Sequence, residues 1–271
     1  MILLNLESRR ILSTQRKGRS ELRRTFADII SFLKSESGQA LIKYMIKSPK
    51  FNIRNLIDYY RSTRRPNSSR MLGVKGSDFR KQLDSLAEYT VKWPEKILYA
   101  DSYCRKPIGC PSDYYDPKGI YRRTNLCKPI EKNKHCQKCD IGKIKTLYNR
   151  ITDGVKMDET CGPGFYIMGR SKPFFEMLLK RTDRMWKNRQ QEYIIATGCS
   201  HVQKLFAIPT ALLGWKGYIR LLQSDVCTDS VNAMHGETGN KERQTHLSEE
   251  TMNNTEYIFH RALSMKKVSS D

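Results

Sequence analysis

The sequence predicts an α/β fold: a small parallel α/β unit, preceded by a cysteine-rich segment and an N-terminal helical domain. Three observations carry that expectation. Apolar runs at Phe165–Met168, Tyr193–Ala196 and Tyr218–Leu222 alternate with helical patterns, as in a parallel, right-handed unit. The first 90 residues show short apolar stripes at helical spacing, separated by breakers. Between these regions, residues 101–139 carry Cys, Pro, Gly and Lys with little periodicity.

In the N-terminal region, Thr25 is placed to cap a helix bearing Phe26, Ile29, Ile30 and Leu33. Leu41, Ile42, Met45 and Ile46 form a second stripe, and Ile53, Leu56, Ile57 and Tyr60 a third. A fourth follows Ser77, with Phe79, Leu83 and Leu86. The basic loop Arg61–Arg70 joins the last two. These readings divide the chain into a basic helical domain (1–95), a cysteine-rich segment with its following helix (96–160), the α/β unit (161–229) and a polar C-terminal tail (230–271). In the α/β unit, Ser171 is placed to cap a helix with Phe174, Phe175, Leu178 and Leu179. Val202 to Leu213 reads as a second helix, bent or split at Pro209. The tail holds one amphipathic stretch, around Tyr257–Leu263.

Charge narrows the partners. The 271-residue chain has 49 Lys/Arg against 28 Asp/Glu, a formal net charge of +21. Residues 1–90 alone hold 19 Lys/Arg against 8 Asp/Glu. Such an excess favours polyanions, so the basic N-terminal domain is expected to meet an acidic protein partner or nucleic acid. No apolar run approaches the roughly 18 residues that span a bilayer, and the N-terminus lacks the pattern of a secretory signal. A cytoplasmic location and reduced thiols are the expectation.

Eight cysteines are too few for a disulfide scaffold and suit metal ligands, reactive thiols or core residues. Cys136-Gln-Lys-Cys139, at a turn before a helix, can hold one metal ion with little strain. Cys127, Cys110 and Cys104 lie just upstream, and a segment with so little apolar surface needs something to close it. Cys110, Cys127, Cys136 and Cys139 are therefore the candidate metal ligands, with Cys104 as an alternative fourth. Soft thiolate sets of this kind suit an iron–sulfur cluster or zinc. Buried structural thiols are the plainer alternative. His135 is a weaker ligand candidate.

Cys199 and Cys227 follow two strand candidates, at the carboxyl ends where open α/β sheets bind ligands. Together with Cys161 they would complete the first site or form a second. Cys199 in Gly198-Cys199-Ser200-His201 is also a candidate nucleophile, with His201 as its base. The stretch Ser112–Arg123 interleaves tyrosines with cations, a combination suited to stacking on nucleic acid. No phosphate-binding glycine fingerprint or Walker loop is present.

Four blocks, CQKCDIGKIKTL, GFYIMGRSKPFFEMLL, YIIATGCSHVQKL and YIRLLQSDVCTDSV, share an order and spacing that extend from about Tyr103 to Gly236. In these blocks the chain resembles a cysteine-rich domain-of-unknown-function family (number 116) of anaerobic archaea and bacteria. It departs from that pattern at Val226, where glycine is expected, and in its basic N-terminal region, where some relatives carry a membrane segment. The resemblance implies a cysteine-ligated metal or iron–sulfur protein of anaerobic metabolism, without an assigned reaction. The leading expectation is thus a metal protein, iron–sulfur in kind, in electron transfer or in sulfur or cluster delivery to an anaerobic enzyme. The rivals are a zinc-stapled nucleic-acid-binding protein and a thiol-dependent transferase or reductase using Cys199.

Overall fold

Apolar runs of four to six residues, buried on both faces, build the centre of the molecule. The computed structural model describes residues 69–107, 109–119, 121–122, 124, 127–129, 133–157, 164–168, 171–198, 207, 209–222 and 245–268, and helical positions 34, 39 and 42–44. The chain divides into two compact units, 1–48 and 49–271, and the sheet belongs to the second. The helices expected before Pro66 and the loop Arg61–Arg70 lie almost wholly outside the described residues.

The fold is α/β, with a mostly parallel five-stranded sheet. In chain order the described elements are β1 (Arg70–Leu72), α1 (Phe79–Lys92), β2 (Ile97–Ser102), β3 (Tyr114–Tyr115), β4 (Tyr121–Arg122), α2 (Lys134–Lys138), α3 (Asp140–Thr152), β5 (Phe165–Met168), α4 (Ser171–Lys187), β6 (Tyr193–Gly198), β7 (Lys216–Leu221) and α5 (Glu249–Val268). Residues 209–212 are also helical. The sheet order is β1-β7-β6-β2-β5, with β3 and β4 forming a separate hairpin. β2 pairs in parallel with both β5 and β6, β6 pairs in parallel with β7, and β1 closes the β7 edge antiparallel.

The chain leaves β2 toward β5, then returns past β2 to β6 and on to β7. With right-handed crossovers, opposite directions of travel put the connecting helices on opposite faces. The packing agrees. Leu83 and Leu86 of α1, Ile144 and Tyr148 of α3, and Ile258 and Phe259 of α5 bury one face with Tyr99, Phe165, Tyr193, Ile195 and Tyr218. On the other face, Phe174 of α4 meets Tyr166 at 5.6 Å between rings. There Trp215 donates its indole N–H to Thr182 Oγ1 at 2.8 Å, in the core. Glu192, just before β6, accepts from Arg181 (2.7 and 3.0 Å) and Arg184, which fixes α4 to the sheet's amino end.

Three differences from the sequence reading matter for function. The interior strand β2 falls inside the stretch read as cysteine-rich, so that segment is the first crossover of the sheet. The helix expected to end a separate basic domain is α1, which packs on this sheet. The polar tail contains α5, twenty residues long, with Ile258, Phe259 and Ala262 fully buried. At one position the sheet demands glycine: Gly217 has φ +152°, and a Cβ there would lie 1.8 Å from the Ile194 carbonyl oxygen.

Candidate metal centre and the adjoining cleft

The site is built from the carboxyl end of β2. Strands β2 and β6 send their connections in opposite directions, and the crevice between their carboxyl ends is where doubly wound sheets take ligands. The chain leaves β2 through the turn Tyr103–Arg105 and enters the cysteine-rich crossover.

Beneath this end lies a buried charge network. Asp101 is fully buried, and its Oδ2 accepts from Arg105 Nη1 at 2.6 Å, Tyr99 Oη at 2.7 Å and Arg220 Nη2 at 3.4 Å. Its Oδ1 accepts the Ser102 N–H at 2.8 Å. Burial alone would raise the Asp101 carboxyl, but the two guanidiniums overturn that and hold it below the usual carboxylate range. Arg105 also reaches Asp140 at 3.5 Å, at the start of α3. Arg220 Nε and the hydroxyl of its strand neighbour Thr197 have no hydrogen-bond partner among the described residues.

The cysteine-rich crossover has its own polar core. Lys106 and Asp113, both buried, form an ion pair, and Lys106 Nζ also donates to the Thr124 carbonyl at 2.9 Å. The Thr124 N–H closes the ring on Asp113 at 2.9 Å. The segment therefore has a means of closure besides a metal. Its middle projects as the β3–β4 hairpin, turned at Gly119 with φ +72°.

Four thiols are placed here. Cys110, Cys127, Cys136 and Cys139 are half-buried and not disulfide-bonded. As the sequence predicts, Cys136 and Cys139 stand at the entrance to a helix: Cys136 is in α2 and Cys139 is the N-cap of α3. The Cys139 N–H donates to the Cys136 carbonyl at 3.2 Å, which folds the turn tightly onto α3. Gly142 makes that possible, because a Cβ there would lie 2.9 Å from the same carbonyl oxygen.

Cys127 and Cys139 both pack against the core formed by α1, α3 and α5. Burial pushes the Cys127 thiol up to about 12, with charge on Cys139 and Cys110 adding to the effect. Burial likewise raises Cys139, opposed by the N–H groups of Gly142 and Ile141 and reinforced by Cys110. Charge on Cys110 is thus felt by both Cys127 and Cys139. Lys145 lies near Cys127; burial lowers its ammonium and a charged Cys127 would raise it. Among the described residues, no group of three or more His, Cys, Asp and Glu side chains closes to metal-holding distance. The donor chemistry fits a thiophilic metal, while the described side chains do not form a finished coordination shell.

Cys161, Cys199, His201 and Cys227 lie outside the described residues, as do the side chains of Cys104 and His135. The sequence reading missed Asp101, Arg105 and Arg220. The only sequence signal was the pair of buried-type strands that carry charges near their ends.

Gly142 gives a direct test of the turn. Alanine for glycine inside a helix ordinarily stabilises by about 1 kcal/mol. Here Gly142→Ala is expected to reverse that sign and cost about 1–3 kcal/mol, because the new methyl overpacks against the Cys136 backbone. Urea unfolding measures it, with Thr146→Ala on the exposed side of α3 as reference.

Comparison with protein families, curated proteins and solved structures yields no match for this chain. The fold and site define a doubly wound α/β protein whose first crossover is rich in thiols. Among the described residues, no helix is long and apolar enough to cross a membrane.

Proposed function

We propose that this chain is a cysteine-ligated metal protein, iron–sulfur in kind, that serves electron transfer or sulfur or cluster delivery to an anaerobic enzyme. Cys110, Cys127 and Cys139 are ligands in this reading, with Cys136 beside them. The observation that carries it is that Cys127 and Cys139 pack against one core wall, with Cys139 lining the cleft beside Arg105, which follows the carboxyl end of β2 where α/β sheets place their chemistry. An iron–sulfur cluster bound there would supply reversible one-electron chemistry. The chain's residues would supply thiolates, a partly apolar wall and, from the first turn of α3, N–H groups aimed at sulfur.

Anaerobic purification followed by iron, sulfide and zinc analysis tests the reading. The expected result is a brown protein with roughly equal iron and sulfide, absorbing broadly near ~400 nm. Cys127→Ser and Cys139→Ser are each expected to remove most of that iron. Colourless protein with about one zinc per chain would transfer the site to zinc. Protein without metal would overturn both.

A second reading, zinc-stapled binding of single-stranded nucleic acid, is favoured by the hairpin. Tyr114 and Tyr115 are 55% and 71% exposed there, beside Lys118 on a chain of net charge +21. Exposed aromatics beside cations stack on bases at about 1–3 kcal/mol each. It expects a labelled oligonucleotide to bind with steep salt dependence, and Tyr115→Ala to weaken that binding about tenfold or more.

A further inference from the structure

A cleft of about 320 Å³ opens beside Cys139, lined by Arg105, Pro107, Lys134, Lys138, Asp140, Thr245 and His246. It lies beyond the carboxyl end of β2, beside Arg105, and has the size of a small-ligand pocket. We propose that this cleft binds a small phosphate-bearing anion.

The charge count points to an anion. The cleft is lined by Arg105, Lys134 and Lys138 against one carboxylate, Asp140. Behind Arg105 lies the buried Asp101–Arg220 pair, and Lys143, a helix turn on from Asp140, is a further cation paired with it. Both carboxylates are already engaged: Asp101 by Arg105 and Arg220, and Asp140 by Arg105 and Lys143. Lys134 and Lys138 are exposed and stand one turn apart on α2, so their ammonium groups project to the same side. No acidic partner is recorded for either among the described residues.

The geometry selects phosphate over carboxylate. A carboxylate is held best by the two-pronged fork of an arginine, and the Arg105 fork is spent on Asp101 and Asp140. What the cleft offers instead is two point charges, which suit a phosphate dianion of any orientation. The ligand would lie beside the Cys139 thiol, so a phosphorylated small molecule could be presented to the thiol site. The binding itself needs only the lysines and the cleft, and does not rest on the metal reading.

Calorimetric titration of the full chain with phenyl phosphate tests this, at constant ionic strength near ~0.15 M. Saturable one-site binding is expected, weakened about tenfold or more in the K134Q/K138Q double variant and unchanged in K187Q, an exposed lysine of α4. The same titration after chelation separates the two readings. Retained binding in metal-free protein supports the cleft whatever the metal analysis shows. Binding that is equal in the K134Q/K138Q variant, or matched by phenylacetate at the same concentration, would overturn the proposal.

Discussion

Asp101→Asn is expected to cost about 3–5 kcal/mol of folding stability, because one substitution strips the charge partner from two buried arginines. Asparagine keeps the shape of the side chain, so packing is preserved and the loss is electrostatic. Among the described carboxylates, Asp140 would remain beside Arg105, one-third exposed and 3.5 Å away, while Arg220 would lose its ion pair. Asp140→Asn provides the contrast. Its pairs with Arg105 and Lys143 are longer and partly solvated, so the expected cost is below about 1 kcal/mol. Urea unfolding of both variants decides between a core anchor and a surface one.

The same network sets an acid limit. Because the Asp101 carboxyl is held below its unfolded value, its contribution is fully present above the ordinary aspartate range and is lost as pH falls through the lower, folded value. Stability of the natural chain should therefore fall below about pH 4, and the fall should be shallower in Asp101→Asn. An equally steep decline in the variant would assign the acid limit to other carboxylates.

The second large effect is local. Lys106→Met removes the cation from a buried carboxylate, and about 3–5 kcal/mol of the crossover's stability is expected to go with it. Opening should be confined to the stretch that Lys106 ties together, with the Thr124 amide losing about two to three orders of magnitude of hydrogen-exchange protection. Amides of β6, on the far side of β2, should be unaffected. Pairing Lys106→Met with Asp113→Leu should restore part of the protection, since a buried ion pair can often be replaced by apolar groups of similar volume.

Strands β5, β6 and β7 were legible because short apolar runs met clear breakers, and α4 because Phe174, Phe175 and Leu178 form a stripe at helical spacing. Strand β2 was not. Buried on both faces, it lacks the alternation that marks a strand, and Ile97–Ala100 merges into a polar, cysteine-bearing stretch. Helix α5 was seen only in part because its buried stripe begins with the threonines Thr251 and Thr255, whose hydroxyls bond to Ser248 and to the Thr251 carbonyl. The CxxC turn at the entrance to a helix was readable from spacing alone. The Asp101–Arg220 pairing was not, since residues 119 positions apart meet only once the strand order is known.

Strand β1 decides how the molecule is assembled in time. Three residues pair with β7, and Ser69 lies 3.5 Å from the Leu221 N–H, 152 positions along the chain. Strands β6 and β7 are joined by a short connection and can meet early, whereas β1 must wait until the sheet exists before it finds an edge. Closing so long a loop adds little equilibrium cost, because the entropy grows only with the logarithm of length. It does set an order of events: β1 is the last strand in and the first to peel away.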